Sequence, residues 1–201
     1  MEEKIVYFEK AGKENTETTL KLVLERAKAR GIKKIVLAST WGDTARQAAQ
    51  LLAGSGLKLI IVPHQYGFMA EPEQRFPQQL KADLEKMGHE VHFGTMIFHM
   101  ENLLGVNISR ALANLLRCFC QGMKVCVEIL LMAADAGKIA EGESVIAVAG
   151  TGRGADTAVV ALAASSNHIA DFHITEIICK PLQTKQGPPP PMPVPPSPEK
   201  K

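Results

Sequence analysis

Four apolar residues in a row, Ile35, Val36, Leu37 and Ala38, run straight into Ser39, Thr40, Trp41, Gly42, Asp43 and Thr44. Ala45, Ala48, Ala49 and Leu52 then recur at helical spacing. A short unbroken apolar run is the mark of a strand covered on both faces, as in a parallel sheet. Asp43 or Thr44 is expected to cap the helix that follows. A turn of this kind leaves backbone N–H groups unpaired at a positive helix end, beside the hydroxyls of Ser39, Thr40 and Thr44. That is chemistry suited to a phosphate.

The rest of the chain repeats the alternation. A strand is expected at 4–8 and a helix at 16–30, whose Leu20, Val23, Leu24 and Ala27 make one stripe stopped by Gly31. A second buried strand follows at 57–62, a helix opens at Phe76-Pro77, and a short polar strand at 90–93 is expected near a sheet edge. Residues 108–120 read as a helix broken by Gly122. Residues 123–136 read as a second helix, apolar nearly all round, that must be buried or lie in a subunit interface. A strand at 144–149 and a last strand at 172–179 complete the pattern, while 155–165 fits helix and strand alike. The reading is a single α/β domain over 1–185, a three-layer sandwich. Its sheet is mostly parallel, with helices on both faces and an antiparallel C-terminal strand region. From Gln186 onward the chain is Pro-rich and is expected to be a solvated tail.

Composition bounds the function. With a net charge of +2 and no dense basic cluster, no nucleic-acid partner is expected. The longest apolar run, 125–134, is interrupted by Glu128, and the acidic N-terminus has no signal-like apolar core. No membrane partner is expected, and the location is expected to be cytoplasmic. Cys118, Cys120, Cys126 and Cys179 have no framework spacing and are expected to be reduced thiols. No His, Cys or carboxylate cluster has metal-ligand spacing, so no metal is expected.

Ligands of such sheets bind beyond the carboxyl ends of the strands. Three unusual loops begin there: 39–44; 63–68, with His64, Gln65, Tyr66, Gly67 and Phe68; and Gly150, Thr151, Gly152, Arg153 and Gly154. The glycines let backbone N–H groups approach an anion, and Arg153 adds a fork of donors. The ending is not that of a Walker loop, and the spacing is not the dinucleotide fingerprint. Trp41, Tyr66 and Phe68 stand on the expected rim, where they either stack on a flat ring or act as packing lids. His64 and His99 are the histidines expected near the cleft, each able to serve as an acid or base, yet neither has a visible carboxylate partner. Ser39 beside His64 lacks the third member of a hydrolase triad. The residues reveal binding and no reaction.

The strand and turn at 37–45, the turn after Ile61-Val62-Pro63, and Gly142-Glu143-Ser144-Val145-Ile146 leading to the turn at 150–154 resemble the C-terminal α/β domain of pyruvate kinases. The resemblance spans about 16–180 and favours strand for 155–165. In regulated members the two turns hold a sugar bisphosphate, in agreement with the phosphate reading. The catalytic barrel, with its metal carboxylates and lysine, has no counterpart in these residues, so kinase chemistry is not expected. The resemblance to stand-alone proteins of this type implies a flavin mononucleotide (FMN) ligand, its phosphate on the Gly/Ser/Thr turns and its ring against Trp41, Tyr66 or Phe68. The alternative is an allosteric or structural module that binds a sugar phosphate or anion and self-associates as a homo-oligomer.

Overall fold

The computed structural model describes residues 2–68, 73–100 and 107–183. The Pro-rich stretch from 186 lies outside the described residues, as do 69–72 of the loop after the third strand and 101–106.

In chain order the elements are β1 (Val6–Lys10), α1 (Thr16–Arg30), β2 (Lys34–Ala38), α2 (Asp43–Leu51), β3 (Lys58–Val62), α3 (Gln78–Lys86) and β4 (Glu90–Val91). They continue with α4 (Ile108–Arg117), α5 (Gln121–Asp135), β5 (Ser144–Ala149), β6 (Thr157–Leu162) and β7 (His173–Gln183). One seven-stranded sheet has the order β1-β7-β6-β5-β2-β3-β4. All neighbouring pairs are parallel except those of β6, which runs against both β5 and β7. The antiparallel region is thus one reversed strand inserted into an otherwise parallel sheet.

Alternation along the strands sorts side chains into two layers. Ile35, Leu37, Leu59 and Ile61 face Leu20, Val23 and Ala27 of α1, Ala45 and Ala48 of α2, and Leu84 of α3. Val36, Ile60, Ala147 and Val159 face Met123, Cys126, Ile129, Leu130 and Ala133 of α5. Each fully buried aliphatic side chain contributes about 1.5–3 kcal/mol, so both helical layers are needed to cover the sheet. That explains why β2 is apolar without interruption.

The open choice at 155–165 resolves to strand. Asp156 N–H donates to the Ala149 carbonyl at 3.0 Å, closing a turn directly after β5. A parallel return needs a crossover of a dozen or more residues, so a chain turning this soon runs back antiparallel.

Two boundaries differ from expectation. Gly122 does not break the helices; it sits buried in the first turn of α5. A methyl group there would lie 2.1 Å from Thr157 Oγ1, so glycine permits close approach of α5 to β6. The break falls at Cys120, whose thiol caps α5 by accepting the Met123 N–H at 3.3 Å. Neither Asp43 nor Thr44 caps α2. Gly42 stands at the cap with φ +87, and Ser39 Oγ accepts the Ala45 N–H from upstream at 3.2 Å.

The helix α5 buries most of its length, as its composition demands. By contrast, α4 leaves Ile108, Leu112, Leu115 and the following Phe119 exposed. Among the described residues no helix is long and apolar enough to cross a membrane.

Candidate functional site

Strands β5, β2 and β3 are neighbours, so their carboxyl-end loops stand side by side. The chain leaves β2 toward β3 on one side and returns as β5 on the other, which makes a switch point in strand order, the usual place of a ligand crevice in such sheets. A cavity of about 320 Å³ lies there.

Ser39, Thr40, Trp41, Asp43 and Thr44 from the first loop line it, as do Gly150, Gly152, Arg153 and Gly154 from the last. His64 and Phe68 come from the middle loop. The two phosphate-type turns therefore meet in one cavity. Trp41 joins them, with the Arg153 guanidinium carbon 5.2 Å and the Arg75 carbon 4.7 Å from its ring centroid.

The other expected residues stand elsewhere. Gly42 packs toward Leu80, where an added methyl would come within 2.5 Å of Cδ2. Gln65 lines a small side recess, and its Oε1 accepts the Met96 N–H. Tyr66 is 47% exposed, and its hydroxyl accepts from Gln78. The Gly67 N–H donates to the Glu73 carbonyl. Thr151 contributes to the architecture of its loop rather than to the cavity lining, its N–H donating to Asp156 Oδ2 at 3.1 Å.

Asp156 organises the last turn. It is fully buried, and besides Thr151 it accepts the Gly12 N–H at 3.1 Å and the Thr157 hydroxyl at 2.8 Å. Gly152 and Gly154 have φ of +79 and +76, a region that suits glycine. A methyl on Gly154 would also lie 2.4 Å from Lys13 Cα. The turn is thus preorganised by a buried carboxylate on its inner side, with Gly152 and Arg153 on the cavity side.

The opposite wall was not legible as a site. Val62, Met96, Val125, Ile129 and Met132 make it apolar, and Lys124, Glu128 and His99 put polar groups into it. Lys124 Nζ donates to Glu128 Oε2 at 2.5 Å. Oε1 accepts the Phe98 N–H at 2.9 Å and lies 3.3 Å from His99 Nδ1. Burial pushes the Glu128 carboxyl up, yet the hydrogen bond to His99 and the Lys124 ammonium outweigh it and hold the group below its ordinary value. His99 therefore does have a carboxylate partner. The signal for this wall was a charged pair four residues apart on a helix otherwise apolar all round, so both charges had to be buried.

His64 stacks edge-on to Phe68 at 4.6 Å, and Phe68 to His99 at 5.1 Å. Burial, then the neighbouring His99, lowers the pKa of His64, favouring the neutral ring. Among the described residues, His64 Nδ1 on the cavity, Arg75 Nε in the side recess and Thr151 Oγ1 in the last turn are buried without a hydrogen-bond partner. Such groups cost about 1–3 kcal/mol when left unpaired. The four cysteines are free thiols. Burial pushes Cys179 up to about 12 and Cys126 well above the usual thiol value, which makes both inert packing groups.

The fold and its site define a three-layer α/β domain with a cleft over the carboxyl ends of its central parallel strands. Residues 17–161 match the family model of the pyruvate kinase alpha/beta domain, and the chain belongs to that family.

Proposed function

We propose that the cavity binds a small molecule through its phosphate, with FMN as the ligand of first choice. The observation that carries this reading is the meeting of the two turns, 39–44 and 150–154, in one cavity. Ser39, Thr40 and Thr44 supply hydroxyls and the start of α2 supplies N–H groups. Gly152 and Arg153 supply a glycine N–H and a guanidinium. Anions at such helix starts and glycine turns gain charge-assisted hydrogen bonds. The volume falls at the lower end of the ~300–1,000 Å³ typical of ligand pockets.

The donor set fits FMN. The phosphate goes to the polar lip, and the ring system goes to the apolar wall of Val62, Phe68, Met96 and Met132. Trp41 stands at the mouth. The flavin, when bound, supplies electron or hydride transfer; the chain supplies orientation and exclusion of water.

The test is a spectrum of the freshly purified protein, followed by fluorescence titration with FMN and with riboflavin, which lacks the phosphate. FMN should bind at least about tenfold tighter, as one charge-assisted contact gives. Equal affinity removes the phosphate anchor. The exposed apolar face of α4 favours a second reading, a self-associating module that binds a sugar phosphate or anion. Sugar phosphates raising the melting temperature while FMN does not would select it; ligand at 100 times its Kd stabilises by about 2.7 kcal/mol.

A further inference from the structure

The inner wall of the cavity contains more polar chemistry than binding requires. Lys124 is 1% exposed and Glu128 2%. A helix that only covered a sheet would carry apolar residues at those two positions. An ion pair taken out of water costs several kcal/mol per ion, and apolar residues of similar volume are commonly as stable or more so.

The geometry says what the pair is for. The Glu128 carboxylate accepts from Lys124 Nζ at 2.5 Å and from the Phe98 N–H at 2.9 Å, and it stands 3.3 Å from His99 Nδ1. Occupied by these donors, it is a poor base. It is well placed to hold the His99 ring with Nδ1 as donor, which leaves the Nε2 lone pair for the cavity that His99 lines. A carboxylate orienting an imidazole in this way fixes both tautomer and direction. The Lys124 ammonium, which can only donate, lies 3.4 Å from the same Nδ1 but 2.5 Å from Glu128 Oε2, so its bond is assigned to the carboxylate, which it keeps ionised, and Nδ1 is left to donate to Oε1. From the loop after β3, Phe68 packs edge-on against the ring, and His64 packs in turn on Phe68.

We infer that His99 is a proton-transfer residue and that the cavity moves protons on a phosphate-anchored carbonyl compound, with Glu128 and Lys124 as positioning residues. His99 Nε2 takes a proton from a carbon next to the carbonyl. The C–H electron pair becomes the new carbon–carbon double bond, and the carbonyl pair moves onto oxygen. The imidazolium is balanced by Glu128, and the negative oxygen by the Lys124 ammonium on the same wall. On a substrate that carries a hydroxyl on that carbon, the hydroxyl proton passes to the negative oxygen and His99 returns its proton to the former carbonyl carbon, which completes an isomerisation without a co-reactant. The substrate class rests on the phosphate reading above, with the carbonyl compound standing on that anchor in place of FMN; the role of His99 does not.

Two ligand-free measurements test the residue. In the intact protein with 15N-labelled histidine, His99 should be the Nδ1–H tautomer; the Nε2–H tautomer would overturn the assignment. Diethylpyrocarbonate should acylate His99 faster than the exposed His173, and Glu128→Gln should slow His99 by at least about tenfold, the worth of a charge-assisted bond. An unchanged rate would reduce the pair to a structural role. The reaction class is read from deuterium entering dihydroxyacetone phosphate in heavy water. Wild type should exceed buffer and His99→Gln should lose that excess. A wild type no faster than buffer overturns the chemistry, and FMN titration shows separately whether the phosphate anchor stands.

Discussion

The two helical layers are built to different rules. On one face of the sheet, α1, α2 and α3 meet the strands through a continuous apolar cluster around Leu20, Leu37, Leu59 and Ile146. On the other face, α5 meets them through an apolar cluster of similar extent, but carries Lys124 and Glu128 at burial as deep as the leucines. Among the described residues the only other buried charged side chain is Asp156, at the last turn of the site. Among the described residues, buried charge is confined to the cavity and its supports. The first face supplies stability, and the second gives up part of it for a polar wall.

The sharpest way to break that contrast is to unpair the charges. Glu128→Ala leaves a buried ammonium without its partner and should cost about 3–5 kcal/mol in urea unfolding. Leu20→Ala, on the other face, opens a void and should cost about 2–5 kcal/mol. The two differ in rescue: adding Lys124→Met to Glu128→Ala should restore much of the loss, since an apolar pair replaces an ionic one. A double variant no more stable than Glu128→Ala would mean that the wall is not a paired charge in a dry setting. The pH dependence has a definite sign. The Glu128 carboxyl is held below its ordinary value of 4.5, so its contribution is present above that value and is lost as pH falls through the lower folded pKa. No such acid loss should follow from the leucine on the other face.

A second effect should appear in binding rather than folding. Arg153 belongs to the turn on the cavity side and lines the pocket. Arg153→Ala should weaken a phosphate ligand by about 1.5–3 kcal/mol, measured by calorimetry with FMN, and leave the urea midpoint nearly unchanged. Equal losses of affinity and stability would mean that the turn is a scaffold and not an anchor.

How much of this contrast was legible beforehand follows from what a linear pattern encodes. Period and punctuation located β2, α1 with its Gly31 stop at φ +66, and the three carboxyl-end loops. They also gave the sheet class, because an apolar run without alternation demands cover on both sides. Partnership across the fold is not encoded that way. His99 and Glu128 are 29 residues apart, and only the docking of α5 under the segment containing Phe98 brings them together. The direction of β6 was likewise settled by the Asp156–Ala149 turn and not by the composition of its strand. Gly122 misled for a related reason. A glycine between two helical runs reads as a stop, whereas here it makes room for Thr157 on a strand more than thirty residues away.

That glycine sharpens the comparison next. Gly122→Ala places a methyl 2.1 Å from Thr157 Oγ1 and 3.2 Å from Asp156 Oδ1. Overpacking at such a contact should cost about 1–3 kcal/mol, and the shift should loosen the Asp156-held turn and weaken ligand binding with it. Gly152→Ala meets no atom within 4 Å, so only its φ of +79 resists, worth about 1–2 kcal/mol. A Gly122 variant milder than the Gly152 one would show that α5 can back away from the sheet, and the second face would then be softer than its packing implies.

The smallest expected effect separates buried from surface charge. At the edge strand β4, Glu90 is flanked by Lys58 and by Lys138 at 2.8 Å, and hydrogen bonds from Lys138 and then Lys58 pull its pKa down to about 2. A depressed carboxyl stabilises the fold above its ordinary value of 4.5 and loses that contribution as pH falls toward about 2. The side chain is 29% exposed, so solvent screens the pair and Glu90→Gln should cost less than about 1 kcal/mol at neutral pH. That cost should shrink in high salt, where exposed pairs are screened. The Glu128→Ala cost should not, since the Lys124 ammonium it unpairs is only 1% exposed. If salt erased both alike, the Lys124–Glu128 pair would have to be open to water, and a solvated pair does not hold an imidazole in one tautomer.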